Sequence, residues 1–196
     1  MKNYIETMCR REDIKPYIMT LVQSEEVNIF LPATFVINDE NVRIIHKTED
    51  MERVSAMVDI EAGDAIEMIT AFLRNMKESE RTYVFADDYH IDYDLVFADK
   101  MRSNVKTCYE PSVNDSNIND KLMDFMIFLE DKVTEDGLGY LLELEHYMEE
   151  SQPGYNTLKR YIWRMGKKYT QEILDEISCE NWYNGLATEN ERSEAN

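Results

Sequence analysis

The chain has 196 residues and a formal net charge of −19, from 40 acidic and 21 basic side chains. That length holds one domain with a real core, or two small lobes, and the negative charge argues against direct binding to nucleic acid. No apolar run reaches the length of a membrane span, and the start MKNYIETMCRRED lacks a signal-peptide core, so a cytoplasmic protein without direct membrane insertion is expected.

In chain order, the first 37 residues carry short apolar pieces, Tyr4-Ile5, Tyr17 to Val22 and Phe30 to Ile37. They are rich in β-branched and aromatic types and punctuated by Pro16 and Pro32, which predicts strands. The polar run Asn38 to Asn41 predicts a turn, with Val42 to His46 returning as its partner strand. From Asp64 the apolar period becomes helical, through Ile66, Ile69, Phe72, Leu73 and Met76. Asp64 and Glu67 resemble a capping box, and the single apolar stripe predicts a helix packed against the strands on one side.

Three further strands are expected at Tyr83 to Phe85, Leu95 to Phe97 and Val105 to Tyr109, the last two forming a hairpin over Lys100 to Asn104. Pro111 and the polar residues 112–119 then break the chain. Beyond them, Leu122, Phe125, Met126 and Leu129 share one helical face. Gly137 and Gly139 set off a second helix, marked by Leu141, Leu144, Tyr147 and Met148. Pro153-Gly154 ends that helix, and a third runs through Leu158, Tyr161, Ile162, Met165 and Tyr169 towards Ile177, with Gly166 as its weak point. The expected architecture is a single α+β domain over residues 1–187, with a mixed strand and helix lobe at 1–111, a helical lobe at 112–187 and a disordered tail at 188–196.

Chemistry-bearing residues concentrate in one place. Asp87, Asp88, Asp92, Asp94 and Asp99 crowd the segment from Tyr83 to Pro111, and Asp92 with Asp94 would be the pair to hold a divalent cation if one were bound. Alternate residues on a strand also share a solvated face, and no glycine-rich phosphate loop accompanies them, so no metal and no cofactor are expected. His90, among these aspartates, is a candidate general base without a neighbouring nucleophile. Cys9, Cys108 and Cys179 are odd in number and far apart, which suits buried free thiols rather than a disulfide or metal site.

One segment reverses the charge. Lys159, Arg160, Arg164, Lys167 and Lys168 lie between Tyr155 and Tyr169 with no acidic residue among them, interleaved with Tyr161 and Trp163. This segment either docks on the acidic helix from Glu143 to Glu150 or offers Lys159, Arg160, Trp163, Arg164, Lys167 and Lys168 to an anionic partner.

The stretches Tyr93-Asp94-Leu95-Val96-Phe97-Ala98-Asp99 and Val105-Lys106-Thr107-Cys108-Tyr109-Glu110-Pro111 resemble a bacterial domain of unknown function. That domain is usually found N-terminal to forkhead-associated (FHA) phosphothreonine-binding domains. Leu122 to Leu129 and Gly154 to Leu158 resemble its helical section, and the likeness covers roughly residues 14–165. The family is itself similar to the kinase-like cytosolic domain of a type VII secretion scaffold protein. Set against a kinase, Asp94 stands at the metal-binding asparagine before an apolar strand. The catalytic base falls on Tyr89, and the second metal-binding aspartate falls on Tyr109. A one-residue shift would put Asp88 at the base position.

The resemblance therefore implies a small pseudokinase-like fold without phosphoryl-transfer chemistry. Only about 30 residues follow the matched region where an FHA domain would stand, so a phospho-reading role is not carried over. A non-catalytic cytosolic scaffold or regulatory domain with a protein partner is expected. The alternatives are an acidic immunity- or inhibitor-type protein covering a basic partner, and a divalent-metal enzyme using the cluster at 87–99.

Overall fold

The computed structural model describes residues 3–112 and 116–194, with side chains described as far as Asp175. It is a mixed α+β structure with strands in its first half and helices in its second. The strands are β1 (Tyr4–Arg10), β2 (Ala33–Asn38), β3 (Asn41–Lys47), β4 (Met51–Arg53), β5 (Tyr89–His90), β6 (Val96–Asp99), β7 (Val105–Thr107) and β8 (Glu110–Pro111). The helices are α1 (Pro16–Gln23), α2 (Ala62–Ser79), α3 (Ile118–Glu130), α4 (Glu135–Ser151) and α5 (Tyr155–Glu194).

The first sheet is antiparallel in the order β1-β3-β2. Its inner face follows the two-residue alternation of a half-buried sheet: Ile44 stands opposite Thr7 and Phe35, and His46 opposite Ile5 and Ala33. The expected hairpin is present, with Asp39 in the left-handed region at its turn (φ 48°). The second sheet runs β4-β6-β7, and the hairpin over Lys100 to Asn104 is likewise present. The segment leading into β2 is bonded to β7 of the second sheet, Leu31 N–H to the Thr107 carbonyl at 2.9 Å and Thr107 N–H to the Ile29 carbonyl at 2.8 Å.

Two expected strands are something else. Tyr17 to Val22 lies within α1, because Pro16 sits comfortably at the first helical position and Ile18 and Val22, four residues apart, both bury. Tyr83 to Phe85 joins no strand ladder among the described residues. Tyr83 takes a left-handed conformation (φ 60°) and turns the chain out of α2, while the Ser79 hydroxyl donates to the carbonyls of Met76 and Val84.

Helix α2 differs from its expected form at both levels. Its N-cap is Glu61, and Asp64 lies inside the first turn, where it favours the positive helix end and faces Arg102 at 3.9 Å. Its burial also extends well beyond one stripe. Ala62, Ala65, Ala71, Asn75 and Ser79 are buried beside the large residues, and α2 contacts α3, α4, α5 and β7. Small side chains on the second face let those neighbours approach, so α2 is the axis of the molecule rather than a cover on a sheet.

In the helical part, Asn117 caps α3 in a full capping box with Asp120, and Leu122, Phe125, Met126 and Leu129 are buried as their spacing predicts. Gly137 and Gly139 do not precede α4 but belong to it, since Thr134 is its N-cap and accepts from the Gly137 N–H at 3.3 Å. Gly137 is there for space: a Cβ would stand 2.9 Å from the Val133 Cβ and 3.3 Å from the Ile60 carbonyl. Helix α5 passes through Gly166 unbroken. The tail expected from Thr188 onward falls among residues whose side chains are not described, as do Cys179 and Trp182, while the backbone of α5 runs to Glu194. One continuous buried cluster extends from Ile14 to Met165 and joins both parts of the chain.

Two titratable groups, buried His46 and half-buried Glu145, oppose each other in their effect on stability. His46 is fully buried and pushed down to about 4 by desolvation. Glu145 of α4 is pushed up to about 7, first by burial and then by the Glu130 carboxylate, and its Oε1 is sealed from solvent without a hydrogen-bond partner. His46 therefore removes stability as the pH falls from its ordinary range towards 4, and Glu145 removes stability as the pH rises towards 7.

Glu145→Gln is expected to raise the melting temperature above pH 7 and to steepen the acid-side loss left to His46, read by calorimetry across pH 4–8. Gly137→Ala should destabilise by about 1–3 kcal/mol through overpacking. Gly139→Ala, with nothing within 4 Å of the added methyl, should stabilise by about 0.5–1 kcal/mol; urea unfolding measures both.

Candidate functional site

The five aspartates of the central stretch do not converge. Asp88 is buried, forms an ion pair with Lys15 and accepts from the Phe85 N–H at 2.8 Å, so it fastens α1 to the turn before β5. Lys15 is held protonated above its ordinary range by that bond. Asp92 caps a short turn by accepting from the Asp94 N–H at 3.0 Å, and Asp94 itself is exposed. Asp99 accepts from the Ser103 hydroxyl at 2.9 Å and the Asn104 N–H at 3.2 Å, closing the β6–β7 turn. Asp87 is exposed on another side, near Glu80 and Asp120. These are turn-forming roles, which short acidic side chains fill through local backbone bonds. Among the described residues, no group of three or more His, Cys, Asp or Glu side chains could hold a metal ion.

The positions compared with kinase chemistry are core. Tyr89 and Tyr109 are fully buried on either side of Phe30, with edge-on ring contacts at 5.0 and 5.1 Å. The Tyr109 hydroxyl is sealed without a hydrogen-bond partner, the Tyr89 hydroxyl is sealed beside that of Ser79, and burial raises both above the ordinary phenol range. His90 is exposed at the edge of β5, opposite Glu110 of β8. Behind Tyr89 lies Lys121, which sequence patterns did not single out. It is buried, donates to the Tyr89 carbonyl at 2.8 Å and stands 4.9 Å from the centre of the Tyr89 ring, with desolvation lowering its pKa. Cys108 is buried and Cys9 half-buried, and burial raises both thiols, to about 12 and about 11, far from the reactive thiolate range.

The basic segment of α5 is divided between two sides. Lys168 turns towards α4, 3.6 Å from Glu143 and over the Tyr140 ring, and the Tyr161 hydroxyl also donates to Glu143. Tyr161 stacks on Tyr147 with ring centres 3.7 Å apart. The contact with the acidic helix therefore uses four tyrosines, with Tyr169 edge-on to Tyr140, and one of the five cations. Lys159, Arg160, Arg164 and Lys167 are exposed, and Arg160 donates back to the Asn156 carbonyl of its own helix.

On its other side α5 faces α2 across a groove of about 390 Å³. Ile66, Leu73 and Ile162 form its floor, and Arg74, Lys159, Trp163 and Lys167 its rim, with Glu67 the one acidic lining residue. Trp163 is 63% exposed, and the Lys167 ammonium lies 5.5 Å from the centre of its ring. Arg74 is anchored by a 2.8 Å bond to the Ser103 carbonyl. Towards the start of α5 a second hollow adjoins it, lined by Lys77 and Arg81 together with Glu78 and Glu80, and Lys77 is ion-paired with Glu80. Three of the six residues expected to meet a partner, Lys159, Trp163 and Lys167, thus share this groove. Arg160 and Arg164 lie outside its lining, and Lys168 faces the opposite side. The α2 contribution was hidden because Arg74 reads locally as part of the solvated face of an ordinary helix; its tertiary pairing with α5 makes it part of a wall.

Tyr109→Phe is expected to leave stability unchanged or raise it by about 1 kcal/mol, since it removes a buried unpaired hydroxyl. Denaturant midpoints measure this; a loss above about 1 kcal/mol would show that a bonded hydroxyl had been removed.

No helix among the described residues is long and apolar enough to cross a membrane. Neither a protein-family model nor a curated protein matches this chain.

Proposed function

We propose that this chain is a non-catalytic protein-interaction domain of scaffold or regulatory type, docking its partner through the α2–α5 groove. The observation that carries the reading is Trp163. A tryptophan 63% exposed, beside Lys159 and Lys167 and above an apolar floor, has the composition of a binding hot spot rather than of ordinary surface. In a chain with a net charge of −19, a locally basic groove selects an acidic partner surface.

A pseudokinase-like reading of the fold agrees with this. It is supported by Asp94 immediately before the β6–β7 hairpin and by buried Tyr89 and Tyr109 where phosphoryl transfer needs carboxylates. A cytoplasmic role fits the same picture. An immunity- or inhibitor-type role is the second reading. It is favoured by the hollow of about 570 Å³ on the other side of α5, where Glu61, Glu135, Asp136, Glu143 and Glu172 gather.

The test compares affinity capture by the wild-type chain with capture by Lys159→Glu/Trp163→Ser/Lys167→Glu. Loss of the captured protein by at least tenfold in the variant, with unchanged circular dichroism, is the expected result. Retention would overturn the groove as the docking surface. ATP with Mg²⁺ should leave the melting temperature unmoved, and a clear upward shift would overturn the non-catalytic reading.

A further inference from the structure

Helix α5 is 40 residues long, about 60 Å at the usual rise, and the body holds it on one side through Leu158, Ile162, Met165 and Tyr169. Its opposite side carries Trp163, Lys167, Thr170 and Leu174, all exposed, and the same three- and four-residue spacing reaches Ile177 in the sequence. That is the spacing of a helix-pairing seam. Trp163 and Leu174, at 63% and 56% exposure, are its large apolar members, and the Lys167 stem lies alongside the Trp163 ring.

Charge along this helix is segregated by sequence. Its first 16 residues, to Thr170, have five cations and no anion. Its last 24, from Gln171 to Glu194, have seven acidic residues against Arg192 alone. A helix of this kind complements itself when a second copy lies antiparallel to it. A two-fold axis beside Thr170 sets Lys159 opposite Glu180 and Arg164 opposite Asp175, on the two flanks of the seam. Each pair then occurs twice, because a two-fold interface repeats every contact.

We propose that the partner surface of α5 is a second copy of this chain, joined as an antiparallel α5–α5 homodimer over residues 159–180. The proposal rests on the docking role assigned above to this side of α5 and names its occupant. Charge complementarity within one sequence favours a second copy over an unrelated acidic protein. The paired length is about 33 Å, three heptads, which is enough for a helix-pairing interface when apolar anchors sit in its seam.

Sedimentation equilibrium on the full 196-residue chain tests it. The wild type is expected to dimerise, more weakly as salt is raised. Lys159→Glu/Arg164→Glu and Trp163→Ser/Leu174→Ser are each expected to weaken the dimer at least tenfold. These side chains are exposed, so the variants keep their circular dichroism. Adding Asp175→Lys/Glu180→Lys to the first variant reverses both sides of each pair and should restore the dimer. A wild type monomeric up to about 100 µM at low salt overturns the proposal, as does a dimer indifferent to both double variants or a reversal that fails to rescue. A monomeric wild type that still captures a different protein through Trp163 removes the second copy as occupant and leaves the docking role standing. Failure of capture together with a rescued dimer separates the two claims in the other direction.

Discussion

Eleven of the eighteen residues of α2 are buried, and they meet three helices and β7 at once. Six of them are large and apolar, and burial of such a side chain contributes about 1.5–3 kcal/mol. One is polar. Asn75 reaches the Val105 carbonyl at 2.8 Å and the Asn104 side chain at 3.0 Å, so the central helix is hydrogen-bonded to the hairpin that joins the strands to the rest. Removing that amide would leave a buried carbonyl unpaired at the junction of both parts of the chain, where desolvation makes the deficit largest. The β6–β7 turn, the packing of α3 and the inner face of α5 are all positioned from this one helix.

Much of this was legible in residue order, where local pattern and final environment agree. The β2–β3 hairpin, the β6–β7 hairpin and the buried side of α3 follow from alternation, turn residues and helical spacing. Failures occurred where a local pattern admits two answers. Tyr17 to Val22 is β-rich in composition, but a proline at its edge and an Ile18–Val22 pair fit one helical face equally well, and the tertiary core decides. Gly137 looked like punctuation because glycine usually is. Here it admits the close approach of Val133 and the Ile60 carbonyl, a contact between residues 77 positions apart that no local window contains.

The candidate site divides in the same way. The aspartate cluster was visible and chemically suggestive, yet each carboxylate for which a bond is described is engaged by its own turn. What dense acidic residues signify here is tight loop geometry. The α5 half of the groove was legible as a charge reversal around Trp163. Its α2 half was not, because Arg74 gains its meaning only when two helices more than 70 residues apart in the chain are laid side by side.

That pairing gives the groove two unlike walls. The α2 wall belongs to an element enclosed on nearly every side, so its backbone amides should exchange with solvent only when the whole molecule opens. The α5 wall is held inward by Leu158, Ile162, Met165 and Tyr169 and sideways by the Tyr161 and Lys168 contacts to α4. Rolling α5 would carry Ile162 out of the floor and break those contacts, so in the docking role proposed above the groove meets its partner as a formed surface, and the fit is tuned by the exposed Trp163 and Lys167 side chains at its rim.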